Sequence, residues 1–312
     1  MIISTLLHDI VAAGFLTNPA VRTAIVVGAL SATVSSVVGL FTVVRGQSFA
    51  GHALSDIGAA GGSGAALANI SPLLGFVAMN LIGALTLEAF QPKRVRGRDL
   101  VTGVVLGAIL GIAALLLYLD TTLTTSTGTT VSVLFGSLFT LPSNSLPLAI
   151  GIGSVSIFTI AWIYRPLLLS SVSPELAQVQ GVRVRWISLV FLLALAAAVS
   201  LSALLTGAIL STALLIGPPT IATRRTHSIR SALVLSIAIG IGVTLAGILL
   251  SYDSVAWTSQ GVGWPVSFCI VALLTLVFFL VPRRTHTVGE HLTKDEPRSA
   301  PTPPSSSALV SK

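Results

Sequence analysis

The sequence is divided into long apolar runs, each close to the length that a helix needs to cross a lipid bilayer. A membrane-spanning helix needs about 20 consecutive, mostly apolar residues. Because unpaired backbone groups are costly in lipid, such runs are expected to be helical. Nine runs approach this length, at 21–44, 53–70, 72–90, 100–119, 145–164, 186–205, 207–223, 231–251 and 264–282. The sequence therefore predicts an all-α, polytopic membrane helix bundle with about nine transmembrane helices.

The composition excludes several other classes of protein. Of the 312 residues, 53% are hydrophobic and only 9% are charged, and the mean hydropathy is +0.95. Soluble domains carry about 25% charged residues. A soluble enzyme, a nucleic-acid-binding module and a disordered protein are therefore excluded, despite the net charge of +7. The single cysteine, Cys269, excludes an intrachain disulfide, and a thiolate metal site is not expected.

The basic residues lie in short clusters between the apolar runs, which predicts the orientation of the chain. The clusters are Lys93, Arg94, Arg96 and Arg98; Arg165, Arg183 and Arg185; Arg224, Arg225 and Arg230; and Arg283 and Arg284. Basic loops stay in the cytoplasm. This rule puts Arg45 inside as well, and it puts Asp9, Asp120 and Asp253 in external loops. We expect a multi-pass protein of the cell membrane with its N-terminus outside and its C-terminus in the cytoplasm.

The two ends of the chain differ from the transmembrane domain expected at 21–282. Residues 1–20 have no basic stretch ahead of an apolar core, so they predict a short interfacial helix rather than a cleavable signal. Residues 283–312 are polar and rich in proline and serine, which predicts a disordered cytoplasmic tail. His286, Glu290 and His291 could bind a metal loosely there, but a solvated tail is favoured.

Two segments do not fit a simple count of membrane crossings, and a short motif within the second is expected to interrupt a helix. Residues 130–142 are apolar but too short to span, which predicts a re-entrant or interfacial helix. Residues 186–223 must cross twice in under forty residues, turning near Thr206-Gly207, so two short or broken helices are expected. Gly217-Pro218-Pro219 is expected to end or kink the seventh run. That kink could line a translocation path or serve packing alone.

His52 and Asp56 are the most informative ionisable pair. Four residues apart on a helix, they lie on one face with Cβ atoms about 6 Å apart. Imidazole and carboxylate at this spacing can bind one divalent transition metal. The alternative is a His–Asp hydrogen bond that locks two helices without an ion. Asn80, Glu88 or a carbonyl of a broken helix could add a ligand, although Asn80 also suits an interhelical hydrogen bond and Glu88 the membrane interface.

The glycine-rich stretch Gly58–Gly64 predicts close approach of two helix backbones. It does not predict a phosphate loop, because no GxxxxGK[ST] motif occurs in the chain. Any nucleotide chemistry must therefore come from a partner, and the chain itself is not expected to be an enzyme.

The predicted cytoplasmic loop at 170–185 reads as a short amphipathic helix. Ser173 suits the N-cap, Pro174 the first helical position, Glu175 the positive helix start and Gly181 the C-terminal stop. Leu176 and Val179 would form its apolar edge. Such a helix suits a groove on a partner protein, although an interfacial helix resting on lipid is the alternative.

Four elements, in order along about residues 21–282, together resemble a known family. RGQSFAGHALSD (45–56) is similar to its R-x-x-S-hydrophobic-x-G-D-A-L-S-H element, and Leu134-Phe-Gly136 to its LFG element. PELAQVQGV (174–182) resembles its E-x-A-x-x-x-G-V loop, and residues 204–225 its G-x-x-L-x-x-A-L-L-x-x-P-x-x-x-A segment. The family is the ABC-3 type permease subunit of manganese, zinc and iron ABC importers.

The resemblance implies a dimeric permease, of identical or paralogous copies, with two cytoplasmic ATPases and an extracellular metal-binding lipoprotein. It implies that the transported metal is cargo, with no permanently bound cofactor, and that His52 and Asp56 lie on its path. The residues implied to couple to the ATPase are Pro174, Glu175, Ala177, Gln178 and Gly181. Two departures are His52 before Asp56, where the family usually has Asp before His, and two prolines at 218–219 where it usually has one.

Two rival classes were weighed against this interpretation. A stand-alone secondary transporter or channel would use His52, Asp56 and Glu88 to couple an ion gradient, but it would need no docking helix at 173–182. A membrane-embedded hydrolase would need a nucleophile and base or an HExxH-type motif within the spans, and none is found. The identity of the metal, or of a small metal chelate, stays open.

Overall fold

The computed structural model describes residues 15, 18–89, 95–123, 127–136, 138–140, 145–226, 228–257 and 263–281. Ten α-helices lie in these ranges. They are α1 (Pro19–Val44), α2 (Ser48–Leu67), α3 (Pro72–Ala89), α4 (Val95–Leu123), α5 (Thr127–Phe135), α6 (Ser145–Val172), α7 (Pro174–Val179), α8 (Val184–Arg225), α9 (Ile229–Trp257) and α10 (Val266–Leu280), with one 3-10 turn at Leu138–Thr140. No strand occurs among the residues described.

The helices confirm the all-α membrane bundle. Each of the nine predicted runs overlaps a helix or, in α8, half of a helix. Six segments are long and apolar enough to span a bilayer, and 107–123 and Val266–Leu280 are shorter apolar helices. Helix α2 corresponds to the one predicted run that remains. Gly, Ser, His52 and Asp56 lower its hydropathy, and other helices cover most of its second and third turns. The number of crossings itself stays a prediction.

Helices α1 and the first half of α8 form the centre of the bundle. About two thirds of the most apolar window is buried in each of them, against about one third or less in α6 and α9. A helix that is apolar on all sides is stable only when other helices or lipid surround it. The two central helices therefore have protein around them, whereas α6 and α9 each keep a wide face for lipid or another subunit.

Helix α8 is broken at Gly207 into two halves, α8a (Val184–Ala203) and α8b (Thr206–Arg225). The hydroxyl of Ser202 donates a hydrogen bond to the Ser211 carbonyl, at 2.9 Å. In a continuous helix these residues would be about 13.5 Å apart along the axis. The chain thus reverses at the break, and the two short helices with a turn near Thr206-Gly207 are present as predicted.

Gly207 is required at this turn for two reasons. Its φ of 75° and ψ of 168° lie in a region that is essentially restricted to glycine. A Cβ atom would also overlap the backbone of Leu134 and Phe135 in α5. The nine-residue α5 is too short to span, as predicted for 130–142, and the LFG element of the sequence packs against the break in α8.

Gly217-Pro218-Pro219 does not end the seventh run, so that half of the prediction is wrong, and a kink at these residues stays a prediction. Both prolines lie inside α8b, which continues to Arg225, and the backbone leaves helical φ/ψ only at Gly207. Proline has no N–H, so Pro219 frees the carbonyl of Leu215, four residues earlier. That carbonyl lies directly against Gly39 of α1, where a Cβ atom would overlap it.

The glycines of α2 bring it close to α3, as the small-residue pattern predicted. A Cβ atom at Gly61 would overlap the carbonyl of Gly75, and one at Gly62 would lie 2.5 Å from the Phe76 ring. Gly58 faces Asn80 in the same way, because a Cβ atom at Gly58 would lie 2.8 Å from the side-chain amide of Asn80. This backbone approach holds α2 in register with α3.

Two acidic residues lie elsewhere than expected. Asp120 and Asp253 were predicted in exposed external loops, but both belong to helices, α4 and α9, and both are buried. The helices extend a few residues beyond the apolar runs and carry the carboxylates into contact with protein. Residues 1–14, 16–17 and 282–312, which hold most of the predicted interfacial segment and the predicted tail with His286, Glu290 and His291, lie outside the described residues.

Candidate functional site

The predicted pair on α2 is formed. His52 Nε2 lies 3.8 Å from Asp56 Oδ2, on the same face of the helix. This distance is too long for a hydrogen bond, so the alternative of a direct His–Asp hydrogen bond is not what the structure contains. Two ligands at about 2.1 Å from a tetrahedral ion are about 3.4 Å apart. The pair is thus within a few tenths of an ångström of the spacing at which both atoms can bind one ion.

The two members of the pair differ in exposure. The Asp56 side chain is 12% exposed, whereas that of His52 is 52% exposed. The carboxylate therefore lies inside the bundle and the imidazole at its edge. An ionisable side chain at the edge of a membrane bundle is expected to face a water-filled cavity or another subunit rather than lipid.

Helix α8b holds the face of α2 that carries the pair. His52 Nδ1 lies 3.3 Å from the Thr212 hydroxyl, so the other ring nitrogen, Nε2, is the one that faces Asp56. The Ser55 hydroxyl contacts both the Ala208 carbonyl and the Ser211 hydroxyl at 2.5 Å. These residues belong to the first two turns after the break at Gly207. The pair is therefore positioned by the segment where α8 reverses.

Ser55 and Thr212 were not singled out from the sequence. A serine or threonine inside an apolar run usually bonds to its own helix, so its residue type gave no indication of a contact between helices. The neighbouring position of Ser55 beside Asp56 was the one available signal.

The candidate third ligands are not brought to the pair. Asn80 is buried, and its amide donates a hydrogen bond to the Ser200 hydroxyl at 2.9 Å, as an interhelical bond. Glu88 lies near the end of α3, where its carboxylate is 4.0 Å from Arg185 Nε. Within the described part of the chain, no group of three His, Cys, Asp or Glu side chains could hold a metal. Among these side-chain types, the described residues bring only His52 and Asp56 together here, and a carbonyl of the broken helix stays a candidate ligand.

The predicted amphipathic helix is present as α7. Ser173 caps it by accepting a hydrogen bond from the Leu176 N–H, and Pro174 begins it. At its end, Val182 N–H bonds to the Ala177 carbonyl and Gly181 N–H to the Gln178 carbonyl. This pattern is a Schellman motif, and Gly181 takes the φ of 78° that the motif requires. Both predicted ends of the helix are confirmed.

Helix α7 directs its apolar edge away from the bundle. Ala177 is fully buried against the bundle, whereas Leu176 is 57% exposed and Val179 is 84% exposed. Two further large apolar side chains beside the helix, Val172 and Trp186, are also exposed. Glu175 and Gln178 are exposed as well. The predicted coupling residues thus form an outward surface, apart from Ala177, which anchors the helix to the bundle.

An all-helical membrane bundle with an ionisable pair against a broken helix, and with a short helix whose apolar edge is exposed, is the architecture of a membrane transport subunit. Comparison with known sequences agrees: the profile of the ABC 3 transport family matches residues 17–283. The chain belongs to this family. It is a multi-pass membrane permease, the transport component of this family.

Curated relatives match this chain in sequence over most of their length. The manganese import system permease protein ScaB of Streptococcus parasanguinis is 29% identical over 86% of this chain and 89% of the relative. The high-affinity zinc uptake system membrane protein ZnuB of Haemophilus influenzae is 27% identical over 84% of this chain and 96% of the relative.

A solved structure has the same fold. PsaBC from Streptococcus pneumoniae in complex with Fab matches with a TM-score of 0.71 and 21% sequence identity, over 86% of this chain and 92% of that chain. The match confirms the helical membrane fold of the chain.

Proposed function

We propose that the chain is the permease subunit of an ATP-driven importer and forms the translocation path for a divalent transition metal, Mn²⁺, Zn²⁺ or Fe²⁺. The observation that carries the proposal is the His52–Asp56 pair, 3.8 Å apart inside a bundle of the ABC 3 transport family. The names of the manganese and zinc relatives support a metal cargo. Imidazole and carboxylate together suit all three metals, so the pair does not choose among them.

The pair provides a transient site rather than a storage site. Conduction requires binding that is strong enough for entry and weak enough for release. Two protein ligands leave most of a metal's coordination positions to water or to other groups, whereas a structural zinc site has four protein ligands. Asp56 supplies negative charge within the bundle, and His52 supplies the neutral nitrogen ligand at its edge.

The half-exposed imidazole supports a dimeric permease. A second copy, or a paralogue, placed against this face of α2 would cover His52 and bring a second pair of ligands to the same path. It would also remove the cost of an ionisable side chain next to lipid. The dimer is therefore part of the proposal, with the metal path between the two copies.

The cytoplasmic partner in the proposal is an ATPase dimer that receives α7. The exposed Leu176 and Val179 suit an apolar groove, and the exposed Glu175 and Gln178 suit polar contacts at its rim. ATP-driven closure of the ATPases would move α7 and switch the path between outward and inward access. A metal-binding lipoprotein would deliver the ion from outside.

The proposed orientation has the N-terminus outside and the C-terminus in the cytoplasm. The orientation is supported by the basic residues that lie at the same end of the bundle as α7. The end of α1 is bonded there to Ser170 and Ser188 on either side of α7, and Glu88 at the end of α3 lies near Arg185. Basic residues gather at this end, as expected for a cytoplasmic face.

The proposal is tested by the bound-metal content of the purified permease after supply of Mn²⁺, Fe²⁺ or Zn²⁺. We expect elemental mass spectrometry to find one preferred metal in the parent and its loss in both His52→Ala and Asp56→Ala. Glu175→Ala, on the exposed surface of α7, is the matched control and should keep the metal. Equal metal content in all four proteins would remove positions 52 and 56 from the path.

Uptake measurements separate the ABC importer from a stand-alone secondary transporter. In the importer, Glu175→Ala leaves the metal bound but abolishes ATP-dependent uptake. A secondary transporter does not use α7 and would transport at the parent rate in this variant.

A further inference from the structure

Arg45 occupies the place where four helices meet at the predicted cytoplasmic end of the bundle. It follows α1 directly, and its guanidinium donates hydrogen bonds to the Ser170 hydroxyl at 3.1 Å and the Ser188 hydroxyl at 2.7 Å. It also lies 5.3 Å from the centre of the Phe191 ring. One side chain thus joins the end of α1 to α6 and α8.

The two serines flank α7 along the chain. Ser170 lies three residues before Ser173, the N-cap of α7. Ser188 lies five residues after Arg183, the N-cap of α8. The segment between them contains the whole docking helix. Arg45 therefore holds both ends of the segment that carries α7 to a single point.

The surroundings of Arg45 show that this point is built for a guanidinium. Ser170, Ser188 and Phe191 are all buried. Burial lowers the pKa of Arg45, and the nearby Glu88 carboxylate opposes that change. Since arginine stays protonated in proteins, the cluster keeps one partly buried positive charge under the influence of one negative charge. The planar fork of arginine can reach two hydroxyls at once, which the single ammonium of lysine cannot do with the same geometry.

The chain also connects Arg45 directly to the metal pair. Gly46 and Gln47 alone separate it from α2, which begins at Ser48 and carries His52 and Asp56. The Gln47 N–H bonds back to the Thr42 carbonyl at 2.8 Å, so this link is short and ordered. A displacement of Arg45 therefore displaces the start of α2.

We propose that Arg45 is the positioning residue that couples the docking helix to the metal path. Through Ser170 and Ser188 it follows the movement of α7, and through the link at 46–47 it passes that movement to α2. The inference rests on the proposed function, because it assigns the route between the ATPase surface and the His52–Asp56 pair.

The experiment uses the full permease, assembled with its ATPase and binding protein in proteoliposomes, and measures Mn²⁺ uptake and ATP hydrolysis together. The readout is the number of Mn²⁺ ions imported per ATP hydrolysed. Three variants are compared with the parent: Arg45→Lys, the double substitution Ser170→Ala with Ser188→Ala, and the control Arg22→Lys. Arg22 is an exposed arginine near the other end of α1.

We expect the ratio of Mn²⁺ to ATP to fall about fivefold or more in Arg45→Lys and in the double serine variant. Bound Mn²⁺ and the amount of ATPase that copurifies should stay at parent levels, and Arg22→Lys should keep the parent ratio. A role in stability alone would instead lower uptake and ATP hydrolysis in proportion to the folded protein, at an unchanged ratio.

The double serine variant keeps the guanidinium and removes only its two hydroxyl partners, so it tests the inference even if Arg45→Lys assembles poorly. A parent ratio in that variant would overturn the inference while leaving the proposed function intact. Absence of ATP-dependent Mn²⁺, Zn²⁺ and Fe²⁺ uptake in the parent itself would instead overturn the proposed function, and the inference with it.

Discussion

Arg45 has several protein partners, whereas the His52–Asp56 pair has few. Arg45 bonds to two buried hydroxyls, lies over Phe191 and is near the charge of Glu88. His52 has one contact, to Thr212, and half of its side chain is exposed. Both groups are costly in a bilayer. A group with several protein partners can stabilise the fold, while a group with few partners is available to a ligand.

This difference assigns two tasks to two regions of α1 and α2 that are only seven residues apart. The Arg45 region should carry stability and coupling, and the His52 region should carry metal binding with little effect on stability. The stability of permease variants in detergent, measured as the free energy of unfolding, tests this division between the two regions.

The largest effect is expected at the break that supports both regions. Gly207→Val would place a side chain against the backbone of α5 and impose a conformation that β-branched residues do not adopt. We expect a loss of about 4 kcal/mol or more, or no folded protein. Thermal unfolding measures it. Gly242→Ala in α9 is the matched control, because its Cβ meets open space, and a similar loss there would contradict this account.

A smaller loss is expected for Arg45→Ala. It removes two hydrogen bonds from a charged donor and leaves the buried Glu88 with less compensating charge. Hydrogen bonds to charged groups contribute about 1.5–3 kcal/mol, so we expect a loss of about 2 kcal/mol by thermal or denaturant unfolding. If His52→Ala lost as much as Arg45→Ala, the division between the two regions would be wrong.

Removal of the cap of α7 should cost still less. Ser173→Ala leaves the Leu176 N–H without its acceptor, and an N-cap serine contributes about 1 kcal/mol. Because α7 is a surface helix, we expect weaker ATPase binding, measured by copurification, with nearly unchanged global unfolding. Ser173→Asp, which restores an acceptor at the N-cap, should recover the binding.

The smallest change in stability is expected for His52→Ala, within about 0.5 kcal/mol in the absence of metal, as for other exposed positions. The division becomes visible when metal is added. At a concentration of 100 Kd the parent should gain about 2.7 kcal/mol, whereas His52→Ala should gain nothing. Unfolding scans with and without the preferred metal measure this; an equal gain in both proteins would place the metal elsewhere.

The sequence predicted those features that depend on local patterns. Apolar runs of membrane length predicted the helices, and the sequence from Ser173 to Gly181 predicted both ends of α7, because caps are set by residues within one turn. The spacing of His52 and Asp56 predicted a shared helix face in the same way. Each of these features depends on residues at most a few turns apart.

Contacts between distant segments were not predictable in the same way. From the sequence, Arg45 was a basic residue of a cytoplasmic loop and the first residue of the element at 45–56, but its partners lie 125 and 143 residues away. Serines inside apolar runs are common, and nothing in their pattern distinguished Ser170 and Ser188. Likewise, proline at 218–219 predicted a helix end, but the packing of the Leu215 carbonyl on Gly39 lets α8b continue. Tertiary contacts outweighed the local rule.

The reversal of α8 at Gly207 also bears on how the protein enters the membrane. The two halves are joined without a hydrophilic loop, and Ser202 bonds across the turn to Ser211. Inserting one half across the bilayer before the other would require a polar link between them that could stay in water, and the turn contains no such link. We therefore expect residues 184–225 to insert as one helical hairpin, and we expect a tag at the turn to lower the amount of folded permease.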